Sequence, residues 1–341
     1  MKKVAVDAMG GDFAPLEIVM GAILAVRDFH IPVVLVGDSE RIRKILADNG
    51  EESNPLIEVH HASQVIEMGE HPGMAFRRKK DASVSVGARL VKSGECGSLV
   101  APGSTGAAVT AGLLGIGRIK GIERPAIVTP IPNEKGGHTF LIDSGASANA
   151  KAKNLLQNAL LGYNYAKRVR HIAEPKVGLL NIGAEPSKGT DLQREAHALL
   201  TEAGKAGRIH FVGNVEAREA VYGEVDVIVS DGYSGNIFLK TMEGTGGFMA
   251  KQLKAMFKKN LLTKLAAVLV SGGLRDFKKM MDAGEVGGTP LIGISKPVIK
   301  AHGSSDAFAI KNAIRQAQSF AASGIIEDIT ENIDHMRLRS E

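Results

Sequence analysis

The sequence predicts an α/β protein in which a large, mainly parallel sheet is covered by helices on both faces. Three observations point there. Short runs rich in Val, Ile and Leu alternate with longer stretches of helical period, and near-continuous apolar strands are the kind buried on both faces. Polar, glycine-rich clusters recur just after the apolar runs, as they do at the carboxyl ends of strands in open α/β sheets. The chain has 341 residues, 44% of them apolar and 23% charged. That is ordinary globular composition, enough for about two α/β domains or one large sheet.

In chain order, residues 3–9, 32–37, 57–61 and 98–101 read as strands, together rich in Val, Ile and Leu. Residues 16–29, 40–48, 75–92 and 105–119 carry apolar side chains at three- and four-residue spacing, the pattern of helices laid on a core. Further strands are expected at 126–130, 140–143, 177–182, 210–212 and 225–229, and a long helix at about 304–322. No fixed-period repeat or low-complexity linker divides the chain. A single α/β/α unit over 1–341 is expected, at most two intertwined subdomains that share a sheet and divide near residue 145.

Composition narrows the function classes. Aromatics are 4% with no Trp, too few for a protein that stacks bases, so no nucleic-acid partner is expected. A net charge of +5 and a pI of about 9.1 favour acidic partners. One cysteine, Cys96, excludes an intramolecular disulfide framework and a cysteine-based zinc site, and fits a reducing compartment. Met1-Lys2-Lys3 is followed by an apolar stretch that Asp7 breaks too soon for a secretory signal. Residues 96–117 are uncharged, but Pro102 and glycines 97, 103, 106, 112, 115 and 117 interrupt them. A strand, a tight turn and a buried helix account for this run better than a membrane span.

Six polar clusters follow predicted strands: 7–12, 102–106, 143–146, 183–189, 231–236 and 302–306. If the strands are parallel, their carboxyl ends can gather these loops around one crevice. In Gly103-Ser104-Thr105-Gly106 the glycines allow close backbone approach, the hydroxyls are donors, and a helix start adds partial positive charge. His302-Gly303-Ser304-Ser305 repeats the pattern near Lys300. Plain helix capping is the alternative for each cluster. With Lys188 in a third glycine loop, a phosphate-type anion becomes the stronger reading. No Walker lysine or strand-linked dinucleotide fingerprint is present, and the ten histidines show no metal-ligand spacing. Neither cofactor nor metal is expected.

Two basic features remain. Arg77-Arg78-Lys79-Lys80 is read as opening a helix, where cations oppose the dipole. It is either a solvated face or a docking site for an acidic protein or phosphate group. Residues 248–282 read as a protruding basic amphipathic helical segment. Phe257, Leu261, Leu262, Leu265 and Leu269 lie among lysines, and Gly272-Gly273 is expected to divide the segment into two helices. It would lie on an anionic bilayer, or form a core or dimer helix.

Several of these stretches resemble the bacterial phosphate acyltransferases of the PlsX family. They are the opening Val-Ala-Val-Asp7-Ala-Met-Gly10-Gly11-Asp12, the run from Arg77 to Lys80, and the segments 117–125, 177–183, 213–218, 230–236 and 296–306. The match runs in order from residue 1 to about 320. Ser104 stands where the family commonly has Asn, and Ser147 likewise. The resemblance implies an isocitrate/isopropylmalate dehydrogenase-like three-layer fold. It also implies transfer of a fatty acyl group from an acyl carrier protein thioester to inorganic phosphate, for phospholipid synthesis.

A homodimer at the inner face of the cytoplasmic membrane is implied too, delivering acyl phosphate to a membrane acyl-phosphate:glycerol-3-phosphate acyltransferase. Phosphate is already anionic, so attack on a thioester needs positioning and charge shielding rather than a strong base. Lys188 and Asn236, both in family-matching loops, are the expected catalytic residues. Asp7, Gly10, Gly11, Gly103, Ser104, Thr105, Gly106, Asp231, Lys300, His302, Ser304 and Ser305 are the expected phosphate and substrate contacts. Arg77, Arg78, Lys79 and Lys80 are expected to dock the carrier protein.

Overall fold

A computed structural model describes residues 2–281 and 283–333; Asp282, which ends the basic segment, lies outside the described residues. The first half runs β1 (Lys3–Asp7), α1 (Leu16–Phe29), β2 (Val33–Gly37), α2 (Ser39–Asp48), β3 (Ile57–His61), α3 (Pro72–Arg78), α4 (Ser83–Ser93) and β4 (Cys96–Ala101). Next come α5 (Thr105–Thr110), continued by a π-helical turn at Ala111–Ile116, then β5 (Ala126–Pro132), β6 (His138–Ile142) and α6 (Ala152–Val169). The second half holds β7 (Lys176–Asn181), α7 (Asp191–Lys205), β8 (His210–Glu216), β9 (Val227–Val229) and α8 (Gly232–Lys258). It ends with α9 (Leu261–Leu269), α10 (Ser271–Met281), α11 (Ala283–Val286), β10 (Thr289–Ile292), β11 (Val298–Lys300), α12 (Ala307–Ala322) and α13 (Ile325–Glu331).

All strands join one sheet of 11, ordered β3-β2-β1-β4-β11-β10-β5-β6-β9-β7-β8. Alternate strand residues enter different cores, as the two-residue pleat requires. Val4, Val6, Val33 and Leu35 face one core, while Ala5, Val34 and Val36 face the other. Helices cover both, giving the expected three-layer α/β/α architecture with a mainly parallel, mixed sheet. On one side α1 lies against α12 so closely that a Cβ on Gly21 would sit 2.5 Å from Ile310 Cβ.

Three expectations need correction. The single helix at 75–92 is two, α3 and α4. The turn between them is tied down by Asp81, which accepts from the Ser63 amide (2.8 Å) and hydroxyl (2.7 Å). The basic run therefore closes α3 instead of opening a helix, and Arg77 and Arg78 occupy its last turn, where the dipole favours cations. Gly272-Gly273 does not break the basic segment either. The breaks fall at Asn260, whose side chain caps α9 by accepting from Thr263 N (2.9 Å), and at Val270, before α10 begins.

The third correction concerns strand direction. Strands β10 and β11 were not foreseen, and they invert the sheet. The block β3-β2-β1-β4-β11 is internally parallel, as is β6-β9-β7-β8. However, β10 is antiparallel to both β11 and β5, and β5 is antiparallel to β6. The two blocks therefore run in opposite senses, and their carboxyl ends emerge at opposite edges. The six polar clusters cannot all meet at one edge.

Candidate active site

The loops converge instead on one face of the central strands. A cavity of about 450 Å³ lies over β11, β10, β5 and the end of β6, roofed by the first half of α8. Thr105 reaches it from the start of α5, and Lys300, His302, Ser304 and Ser305 from the end of β11. Ser144 and Asn236 reach it from the opposite block, because the chain doubles back after β6. Ser144 N donates to Ile127 O (3.2 Å), and its hydroxyl pairs with that of Thr129 (2.6 Å) over the face of β5.

Several predicted contacts build this wall rather than line it. A Cβ on Gly10 would lie 2.7 Å from Gly103 N, and one on Gly11 2.9 Å from Gly303 O. Three loops thus pack backbone to backbone, and Asp12 N donates to Gly303 O (2.8 Å). Gly106 admits Pro72, whose Cγ is 2.4 Å from where a Cβ would stand. Ser104 caps α5, accepting from Ala107 N (3.1 Å), and Asp231 caps α8, accepting from Tyr233 N (3.0 Å) and Ser234 N (2.9 Å). The Ser104 cap is the alternative weighed from the sequence for that turn; the Asp231 cap was not foreseen. The start of α12 is also occupied: Asp306 accepts from Ala309 N (2.9 Å) and Glu17 from Ala307 N (2.7 Å). What the cavity meets there is Lys300, the His302–Ser305 turn, Asp306 and Ala309.

Lys300 is the half-buried cation of the cavity. Burial and the neighbouring Lys240 push its ammonium down to about 8, while Asp7 and Asp12 pull the other way. Asp7 stands behind it, 4% exposed, accepting from Met9 N (3.2 Å) and Gly10 N (3.1 Å). Burial raises the Asp7 carboxyl, against the pull of Ser83, these amides and Lys300. His302 is lowered by burial and by Lys240 and Lys300, partly offset by Glu243 and Asp12. Its Nδ1 lies 2.8 Å from Ser304 Oγ and accepts from Ser304 N (3.3 Å), so the neutral ring carries its proton on Nε2.

Asn236, one turn into α8, donates from Nδ2 to Ser144 O (3.0 Å), which leaves its second N–H for a ligand. Lys240 follows four residues on and lines the same cavity, a partner that helical spacing could have flagged. Thr129, Ser144 and Thr289 also line it; Ser144 belongs to the polar cluster at 143–146, while nothing in the linear sequence singled out the other two. Beneath the site, Asp143 is 1% exposed and accepts from the amides of Ile127, Gly145, Ala146 and Ser147 at 2.8–3.0 Å.

Lys188 lies elsewhere. It is exposed on the loop after β7, held by Asn181 Nδ2, which donates to Lys188 O (3.2 Å), and it does not line the cavity. Arg77 and Arg78, in the last turn of α3, and Lys80 just past it are exposed; Pro72 at the start of the same helix abuts the start of α5. Lys79 is half-buried, bonded to Val65 O (2.8 Å) and Glu70 (2.6 Å). Among the described residues, no group of three His, Cys, Asp or Glu could hold a metal ion, and no helix is long and apolar enough to cross a membrane.

A family model described as "Fatty acid synthesis protein" matches residues 2–328. A phosphate acyltransferase of Pelotomaculum thermopropionicum is 45% identical over 337 residues, covering 99% of this chain and 96% of its own. The chain belongs to the phosphate acyltransferases. It is an acyltransferase by family, and its fold recurs more widely. A phosphotransacetylase from Streptococcus pyogenes superposes with a TM-score of 0.63 at 19% identity over 94% of both chains. A 4-hydroxythreonine-4-phosphate dehydrogenase from Salmonella typhimurium superposes at 0.52 and 14% identity, over 94% of this chain and 99% of its own.

Proposed function

We propose that the protein transfers a fatty acyl group from an acyl carrier protein thioester to inorganic phosphate, yielding acyl phosphate for phospholipid synthesis. The observation that carries this reading is the half-buried Lys300, set among the hydroxyls of Thr105, Ser304 and Ser305 in a cavity that Lys240 also lines. A phosphate oxygen attacks the thioester carbonyl carbon, the carbonyl electrons move to oxygen, and their return expels the pantetheine thiolate. Lys300, the Ser304 and Ser305 hydroxyls and Thr105 bind phosphate. Asn236 donates to the developing oxyanion. Lys188 lies outside the cavity, so any charge it offsets is on the carrier-bound donor.

Arg77, Arg78 and Lys80 steer the acidic carrier towards the start of α5. The protein works as a homodimer at the inner face of the membrane, through the exposed arm formed by the far half of α8 with α9 and α10. There its product passes to a membrane acyl-phosphate:glycerol-3-phosphate acyltransferase. The test is acyl-phosphate formation from a palmitoyl carrier-protein thioester and phosphate, followed by hydroxylamine trapping. Thioester loss without acyl phosphate would mean hydrolysis and would defeat the reading.

A further inference from the structure

We infer that a second cavity, joined to the first through a gap in the sheet, holds the fatty acyl chain during transfer; this rests on the acyl-transfer reading above. The second cavity, about 620 Å³, lies against the opposite face of the sheet, within the size range of small-molecule sites. Its floor is aromatic: Phe140 meets Tyr165 edge-on at 5.5 Å, and Tyr165 meets Phe320 at 6.4 Å. Met280 of α10 contributes from the other side.

The gap follows from the strands themselves. Pairing between β5 and β10 is confined to Leu291↔Ile127 and Ile292↔Ala126. Beyond those pairs the two strands carry Pro130 and Pro290, which have no N–H to extend a ladder. Pro130 and Val286 line both cavities, so the wall between them is apolar. Lys279, Asp276 and Arg315 are exposed side chains at its rim, Glu285 is half-buried, and the exposed Arg170 lays its guanidinium 5.5 Å over the Phe140 ring. A thioester carbonyl held near Asn236 can send its chain, methyl end first, past Pro130 and Val286 onto the aromatic floor. Pantetheine, with amides that need partners, does not suit that wall.

Met280→Trp narrows the second cavity without touching the first. kcat/KM for the palmitoyl carrier thioester should fall ~10-fold or more, as expected when two or more methylenes lose burial. The value for the butyryl thioester should stay within about twofold, the change expected where no buried methylene is lost. Equal loss on both donors, or no loss on either, overturns the inference. A second measurement does not depend on that variant folding. Cys96 is buried, with its thiol pushed up to about 12, so Ser319→Cys places one reactive thiol at the second cavity. Palmitoyl phosphate should slow its alkylation several-fold and butyryl phosphate should not; equal rates with both overturn the inference. Failure of the unmodified protein to form acyl phosphate from either donor would instead remove the acyl-transfer reading.

Discussion

Lys300 is where burial and function oppose each other. Burial lowers its ammonium to about 8, yet its proposed task needs the charge. Below that pH the charge is present, and above it the neutral amine takes over. kcat/KM for phosphate should therefore decline as pH rises through about 8, since that parameter reports groups of the free enzyme. Stability moves the other way. The folded pKa lies below the unfolded value of about 10.4, so the unfolded chain binds more protons between those limits and stability rises with pH across the window. A falling rate there is not unfolding. Lys300→Met keeps the stem and removes the half-buried charge, and should cost on the order of 10²-fold or more in kcat/KM for phosphate with Tm unchanged or raised. Asn236→Ala should lower kcat by ~10²–10³ with little effect on phosphate KM. Lys188→Ala tests the loop after β7, and full turnover in a folded variant removes that residue from the mechanism.

At the scale of elements, α3 and α5 carry the partner question. Their contact at Pro72 and Gly106 sets the exposed Arg77, Arg78 and Lys80 beside the loop that feeds the cavity. Reversing these three to Glu should raise KM for the carrier thioester, most at low salt because encounter is steered by charge. Phosphate KM should stay near its original value, and equal damage to both would indicate misfolding. Lys79 is left in place because its bonds to Glu70 and Val65 O shape the segment. Elements with strong local signals were legible: β1, β2 and β3 as aliphatic runs, and α1 and α12 by their periodicity. Strands β10 and β11 were not. They are short, contain or follow prolines, and are strands only because β4 and β5 stand on either side of them. Thr129 was illegible for the same reason, since only a long-range pairing brings its hydroxyl to Ser144 of the 143–146 cluster. Lys300 and the His302 turn were legible because cation, hydroxyl and glycine sit within a few residues.

For the whole molecule, the arm is the feature the fold itself does not require. From the middle of α8 the chain leaves the sheet, and α9 has no buried residue at all. Leu261 is 82% exposed and Leu269 79%, more apolar surface than a lone helix tolerates in water without a partner. Lys251, Lys254, Lys258, Lys259 and Lys264 lie along the same arm. Each cation near an anionic surface contributes about 1 kcal/mol, so the arm should bind anionic vesicles reversibly, with salt weakening but not abolishing the contact once the leucines insert. A dimer would present two arms, and the linked second contact would raise the effective concentration of the first. The segments on either side of the arm border the first cavity, through Asn236 and Lys240 in the first half of α8 and Gly287 and Gly288 on the return. Changing Leu261, Leu265 and Leu269 together to Glu should therefore remove sedimentation with anionic vesicles while leaving solution acyl transfer largely intact, because none of the three lines either cavity. Vesicle binding that persists in the folded triple variant would exclude the arm as the membrane contact. Loss of the dimer, read by light scattering, would assign the leucines to the interface between copies.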